Sequence, residues 1–223
     1  MIMKIQNYKD KHEYINKNGI TSVAYLMDCM ELLKQIPDKY FELAVVDPPY
    51  GIGINHNIGR RKGDKASIYK KVNWDNNAPT EEYFICLRNY SLNQIIWGAN
   101  YFSMPPTKSF IVWRKPQISE DVSFSMLEYA WTSFDKTAKE WIGMSNEANR
   151  LHPTQKPIAL YEWIFKNYAK PNDKILDTHL GSGSSRIAAD KANLPFVGCE
   201  LDADYFYASV KRFKDFVAQG KLF

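Results

Sequence analysis

The sequence predicts an α/β domain built on a mostly parallel sheet with helices on its faces. Three observations carry this reading. Apolar, strand-like runs alternate with helical patterns at both ends of the chain, the order that generates a parallel sheet. Several of those runs end in an acid, at Asp28, Asp47, Asp177 and Glu200, and ligands of such sheets lie beyond the carboxyl ends of the strands. Finally, "ILDTHLGSGSSRIAA" sets a Gly-x-Gly turn between a strand and a helix, where glycine permits a tight turn and the close approach of a ligand.

The elements follow in order. "TSVAYLMD" (Thr21 to Asp28) is a short buried strand ending in an acid. "CMELLKQI" has helical spacing at Met30, Leu33 and Ile36, and Pro37 stops it. "FELAVVD" is the next strand and runs into "PPY". From about Gly51 to Asn77 the chain is rich in Gly, Asn and Lys and has no clear period; so long a stretch in a compact domain marks a functional or disordered loop. "TEEYFICLRNYSL" reads as a helix with Thr80 at its N-cap. "QIIWGAN", "SFIVWRK" and "MLEYAWTSF" read as strands, and "TAKEWIGMSNEANRLHPTQK" as irregular and polar. "PIALYEWIFKNYA" is a helix with Pro157 in its first turn. "DKILD", "SSRIAADKAN" and "PFVGCELD" give strand, helix and strand. The closing helix buries a stripe of Phe206, Val210, Phe213 and Val217.

The chain has 223 residues, enough for one domain with a sizeable core. No apolar run approaches a membrane span, and "MIMKIQNYKDKHEY" has no signal-peptide core. The three cysteines (Cys29, Cys86 and Cys199) are far apart and odd in number, which suits a reducing compartment. The expected location is the cytoplasm. Neither these cysteines nor the four histidines have metal-ligand spacing, so no metal is expected. The net charge of +4 permits a nucleic-acid partner without requiring one. Its distribution says more: "GRRKGDKASIYKK" sets Arg60, Arg61, Lys62, Lys65, Lys70 and Lys71 against one acid, Asp64. This run is either an ordinary solvated loop or a phosphate-contacting one.

Glu200 follows Asp177 by a little over twenty residues, about where an acid receives ribose hydroxyls in nucleoside-binding α/β units. The third glycine of the dinucleotide fingerprint is absent, since Arg186 stands in its place. That disfavours NAD and suits a nucleoside without a pyrophosphate, such as S-adenosylmethionine.

Four motifs together resemble the amino-methyltransferases that modify exocyclic amines in DNA. They are "DCMELL" at Asp28 to Leu33, "DPPY" at Asp47 to Tyr50, "HPTQKP" at His152 to Pro157, and "DTHLGSGSS" followed by "VGCELD". Their order is that of the β group, in which the catalytic motif precedes the cofactor motif. The likeness runs from about Thr21 to Phe213. It implies a Rossmann-like, S-adenosylmethionine-dependent methyltransferase fold with circularly permuted motif order, and a single domain over 1–223. It also implies a DNA-contacting loop at about 51–77 and a small target-recognition segment at about 135–152. Two departures stand out. Thr178-His179 replaces the family's usual Pro-Phe, and the segment before "HPTQKP" is short.

The resemblance also assigns roles. Asp47 and the carbonyl of Pro48 would accept the two N–H bonds of the target amine, with Pro48 and Pro49 restricting φ. Tyr50 would stack on the flipped base. Asp177 and the turn Gly181, Ser182, Gly183, Ser184 would cradle the methionine part of the cofactor. Thr154, Gln155 and Lys156 would line the same end, and His179 would lie beside it as a neutral ring. Glu200 would take the ribose hydroxyls, Leu201 would pack on the adenine, and Asp28 would accept its amino group. Asp28 could equally be a helix N-cap. The basic residues of the long loop would contact the phosphates of double-stranded DNA. The expected reaction is methylation of adenine N6, yielding S-adenosylhomocysteine. Cytosine N4 is the alternative on the same scaffold, and RNA or a protein amide are further targets of the same chemistry. A catalytically inactive nucleic-acid-binding module is the alternative of another class. Cytosine C5 is disfavoured because no cysteine follows a proline.

Overall fold

The computed structural model describes residues 4–53, 75–119, 125–145, 150–152 and 154–219. Its strands are β1 (Asp10–Ile15), β2 (Thr21–Leu26), β3 (Phe41–Val46), β4 (Ser91–Trp97), β5 (Phe110–Arg114), β6 (Leu127–Thr132), β7 (Lys139–Ile142), β8 (Ile175–Asp177) and β9 (Phe196–Glu200). Its helices are α1 (Cys29–Leu33), α2 (Glu81–Tyr90), α3 (Ile158–Tyr168), α4 (Ser184–Lys191) and α5 (Ala203–Gln219). The strands form one sheet in the order β1-β2-β9-β8-β3-β4-β6-β5-β7. From β2 to β4 all neighbours are parallel. Strands β1 and β6 run antiparallel to the strands they join, and β7 lies parallel to β5.

Strand β3 shows why its sequence reads as an unbroken apolar run. Leu43 and Val45 enter the core on one face of the sheet, with residues of α3, α4 and α5 such as Leu160, Ala188 and Phe206. Ala44 and Val46 enter the core on the other face, with Leu32 and Leu33 of α1 and Phe84 and Leu87 of α2. A strand covered on both faces has no polar alternation to display.

Two strands appear that the sequence did not indicate. The N-terminal segment contains β1, whose residues alternate between half-buried and exposed. The stretch read as irregular between Thr137 and Lys156 contains β7, so the expected recognition segment at 135–152 includes an edge strand of the sheet. Pro157 is the N-cap of α3 and precedes its first turn. Thr80 is the N-cap residue of α2, but its side chain makes no capping bond. No described helix is long and apolar enough to cross a membrane.

Arg186, the residue in the third-glycine place, is buried in α4. Its guanidinium donates to the Ser22 hydroxyl (2.8 Å) and to the carbonyls of Ser22 and His12 (3.0 Å each), and it lies 4.2 Å from the Phe213 ring centroid. It therefore ties α4 to β1, β2 and α5.

Candidate active site

Parallel strands β2, β3, β8 and β9 deliver Asp28, Asp47, Asp177 and Glu200 to one edge of the sheet, as their sequence positions predict. A cavity of about 550 Å³ opens there, and Asp28, Asp47, Pro49, His179, Gly181, Glu200 and Leu201 all line it.

The Asp47 turn is held from several sides. Pro48 and Pro49 have no backbone N–H to donate, but the next two residues do. The N–H groups of Tyr50 and Gly51 donate to Asp75 Oδ1 at 2.6 and 3.1 Å. The Tyr50 hydroxyl donates to Asp47 Oδ1 at 2.8 Å, and its ring stacks on Tyr101 with centroids 5.1 Å apart and planes 16° apart. Gly98 makes room for that ring: its φ is +66°, and a Cβ there would lie 2.0 Å from Tyr50 Cε1.

Asp47 also belongs to a row of alternating charges. Lys156 Nζ is 2.6 Å from Asp47 Oδ2 and 3.0 Å from Glu128 Oε2, and Lys115 pairs with the other oxygen of Glu128. Burial pushes the Asp47 carboxyl up, against the pull of the Lys156 ammonium. Burial also opposes the charge on Lys156, but the carboxylates of Asp47 and Glu128 outweigh it and hold its pKa above the usual lysine value. Desolvation likewise opposes the charge of Glu128, and the two lysines hold it below the usual range. Lys115 is pushed down by burial.

At the other end of the cavity, Asp28 Oδ1 accepts from the N–H groups of Met30 (2.8 Å) and Glu31 (3.3 Å). It is the N-cap of α1, as one of its two sequence readings has it, and it lines the cavity as well. Glu200 accepts from the N–H of Gly181 at 2.8 Å through one oxygen, and from Leu201 (2.9 Å) and Asp202 (3.0 Å) through the other. Asp177 lies behind the cavity and accepts from the His179 N–H at 3.0 Å and the Ser185 hydroxyl at 2.5 Å. Burial raises its pKa to about 7.

The Thr178-His179 pair is accommodated by α2. The Thr178 hydroxyl is 2.6 Å from the Tyr83 hydroxyl, and the His179 ring meets the Tyr83 ring edge-on at 5.4 Å. Burial lowers the His179 pKa to about 4. Its ring is neutral at physiological pH, as expected, but titrates well below the ordinary histidine range.

Some predicted cofactor residues lie elsewhere. Thr154 and Gln155 are not at the cavity wall: the Thr154 hydroxyl is 3.0 Å from His152 Nδ1, and Gln155 accepts from the Leu151 N–H at 3.0 Å. Lys156 turns to the two acids instead. Ser182 and Ser184 sit behind the turn, where Arg212 donates to the Ser182 carbonyl (3.0 Å) and the Ser184 hydroxyl (2.9 Å). A Cβ on Gly183, at φ +74°, would meet Ser209 of α5 at 3.3 Å. Gly183 therefore serves the turn and helix packing, and Gly181 is the glycine that faces the cavity. The wall also includes Tyr83, His152 and Tyr205, which the sequence did not single out. His152 heads "HPTQKP" and packs its ring 4.4 Å from Tyr205. Arg60, Arg61, Lys62, Lys65, Lys70 and Lys71 lie outside the described residues.

A sheet of this order, with one cavity shared by a glycine turn and an Asp-Pro-Pro-Tyr turn, defines a Rossmann-like methyltransferase fold. The model of the N6/N4 DNA methylase family matches residues 112–211. The chain is 24% identical over 205 residues to YubD of Escherichia coli (strain K12), which carries the name of a methylase; the match covers 83% of this chain and 87% of that protein. It is 25% identical over 239 residues to the type II methyltransferase M1.MboII of Moraxella bovis, covering 80% of this chain and 91% of that one. The fold is similar to that of M1.HpyAVI in complex with SAM, with a TM-score of 0.58, 22% identity and coverage of 85% and 98% of the two chains. It is also similar to the cytosine-N4-specific PvuII DNA methyltransferase, with a TM-score of 0.57, 13% identity and coverage of 88% and 91%.

Proposed function

We propose that the protein transfers a methyl group from S-adenosylmethionine to the exocyclic N6 of adenine in double-stranded DNA. One observation carries this reading: Asp47 opens onto the same cavity as Asp28, Gly181 and Glu200. An amine held at Asp47 and a nucleoside held by the acids would therefore meet within one enclosure. The cavity suits the cofactor. It has carboxylates for a ribose and an adenine amino group, a glycine whose added Cβ would meet nothing nearer than the His152 ring at 4.0 Å, and a neutral His179. When bound, the cofactor supplies an electrophilic methyl group on a sulfonium.

The chain's own residues then do the orienting. An exocyclic amine is a poor nucleophile because its lone pair is delocalised into the ring. Acceptors fixed on its N–H bonds favour a pyramidal nitrogen and aim the lone pair at the methyl carbon. Asp47 and the Pro48 carbonyl fill that role, on a turn that Asp75 clamps. Tyr50 and Tyr101 offer aromatic faces for the base. Adenine is favoured over cytosine because the family's cytosine-N4 members tend to carry serine where this chain has Asp47. DNA from cells expressing the protein should contain N6-methyladenine on nucleoside mass spectrometry. N4-methylcytosine in its place would overturn the adenine assignment and keep the chemistry.

Two further results are expected. The loss of cofactor affinity that comes from His179 should appear only near pH 4, because an imidazolium there would repel the sulfonium and that ring resists protonation until then. Calorimetry across pH checks this, and His179→Phe should remove the acid fall. Neutralising Arg60, Arg61 and Lys62 together should weaken DNA binding and flatten its salt dependence by at most roughly one unit of log–log slope per lost contact. Filter binding at several salt concentrations measures that slope, and an unchanged slope would assign the run to solvent.

A further inference from the structure

We propose that Lys156 is a positioning residue: it holds Asp47 as an ionised acceptor, and Glu128, fastened by Lys115, limits how much of that cation Asp47 receives. The inference rests on the methyl-transfer reading of the site and adds a control on its key acid.

The geometry is a row of four alternating charges at the carboxyl edge of the sheet. Asp47 follows β3, Lys156 precedes α3, Glu128 lies near the start of β6, and Lys115 follows β5. The Lys156 side chain is only 2% exposed and places one ammonium between two carboxylates, 2.6 Å from Asp47 and 3.0 Å from Glu128. The Trp97 ring, 5.2 Å away, bounds it on another side. Within this row two cations face two anions, so opposite charges offset one another's burial. The other groups that act on Asp47 are Glu128 and the Tyr50 hydroxyl, and Asp47 in turn bears on Tyr161 of α3 and Asp177 of β8. Among the described residues, none of these is a cation. Lys156 is thus the ammonium that offsets burial at Asp47.

The chemistry needs that offset. A protonated Asp47 would present an O–H to the N–H of the amine and could not accept on that oxygen. During transfer the nitrogen lone pair forms the new C–N bond while the C–S pair goes to sulfur. The nitrogen is left with one excess proton, and an ionised carboxylate beside it can receive that proton.

Two variants should move the acid in opposite directions. In Lys156→Met, the midpoint of the Asp47 carboxyl, followed by carbon-13 NMR on the protein without ligands, should rise by roughly 1–3 pH units, the usual effect of losing an adjacent opposite charge. The acid limb of the kcat–pH profile should rise with it. In Glu128→Gln, Lys156 has one acid left to serve, and both midpoint and limb should fall. A merely structural role would slow both variants and leave the limb in place, and that result would overturn the proposal. If wild-type protein methylates nothing, the functional reading fails while the NMR midpoints still decide the Lys156 question. If Lys156→Met does not fold, the sign of the Glu128→Gln shift decides alone.

Discussion

An Asp47→Ala protein is expected to bind S-adenosylmethionine nearly as wild type does and to transfer its methyl group about a hundredfold or more slowly. Asp28, Gly181 and Glu200 line the cavity beyond Asp47, and the substitution leaves those residues and their hydrogen bonds in place. What it removes is an acceptor that matters most as the amine nitrogen becomes pyramidal, so the loss belongs in kcat. Removing such a preorganised partner costs on the order of 3–4 kcal/mol in the transition state. Lys156 keeps Glu128 as a partner, which limits the damage to the fold. Calorimetry of cofactor binding and methyl transfer with labelled cofactor separate the two effects. Wild-type turnover in this variant would overturn the role given to Asp47.

The second large effect concerns stability. Burial raises Asp177 to about 7 from an ordinary value of 3.8, so the folded chain binds a proton there more tightly than the unfolded chain. Its favourable contribution is complete below about pH 3.8 and is lost as pH rises through about 7, a loss on the order of 4 kcal/mol. Asp177→Asn keeps an oxygen for the His179 N–H and offers an amide to the Ser185 hydroxyl, with no charge to bury. The variant should therefore gain on wild type between pH 4 and 7 and remain more stable above. Urea unfolding at a series of pH values checks this, and parallel stability curves would refute it. The buried His179 tilts the wild-type curve the other way in the same range: its folded pKa is depressed to about 4, so the stability it contributes above pH 6.5 is lost as pH falls.

Much of this was legible in the sequence because the signals are local. Unbroken apolar runs, a Gly-x-Gly turn and acids at strand ends depend on a few consecutive residues, and the parallel sheet gathers those acids at one edge. Strand β1 was not legible because "DKHEYI" is a polar edge strand, paired on one side with β2. Strand β7 is only "KEWI" and gains its place from pairing with β5. Within the site, Lys156 was legible as part of a motif, but its ion-pair partners were not. Its partners Asp47 and Glu128 come from distant strands, and no spacing rule links them. Asp75 was missed for the same reason: it lies at the far end of the long loop, and only the folded turn shows its carboxylate under the Tyr50 and Gly51 amides.

The strand order has a consequence for biosynthesis. Strands β2 and β3 are consecutive in the chain, yet β9 and β8 lie between them. A ribosome making this protein releases β2, β3 and β4 long before the segment that joins them. Until Ile175 to Glu200 has emerged, the nascent chain carries two unpaired apolar strand edges, at β2 and β3, the kind of surface that chaperones hold and that aggregates when they do not. The last fifth or so of the chain, from Ile175, is therefore the keystone of the sheet. A message truncated before Ile175 would yield two strand groups with nothing to unite them, and the site, which draws its acids from both groups, would never assemble.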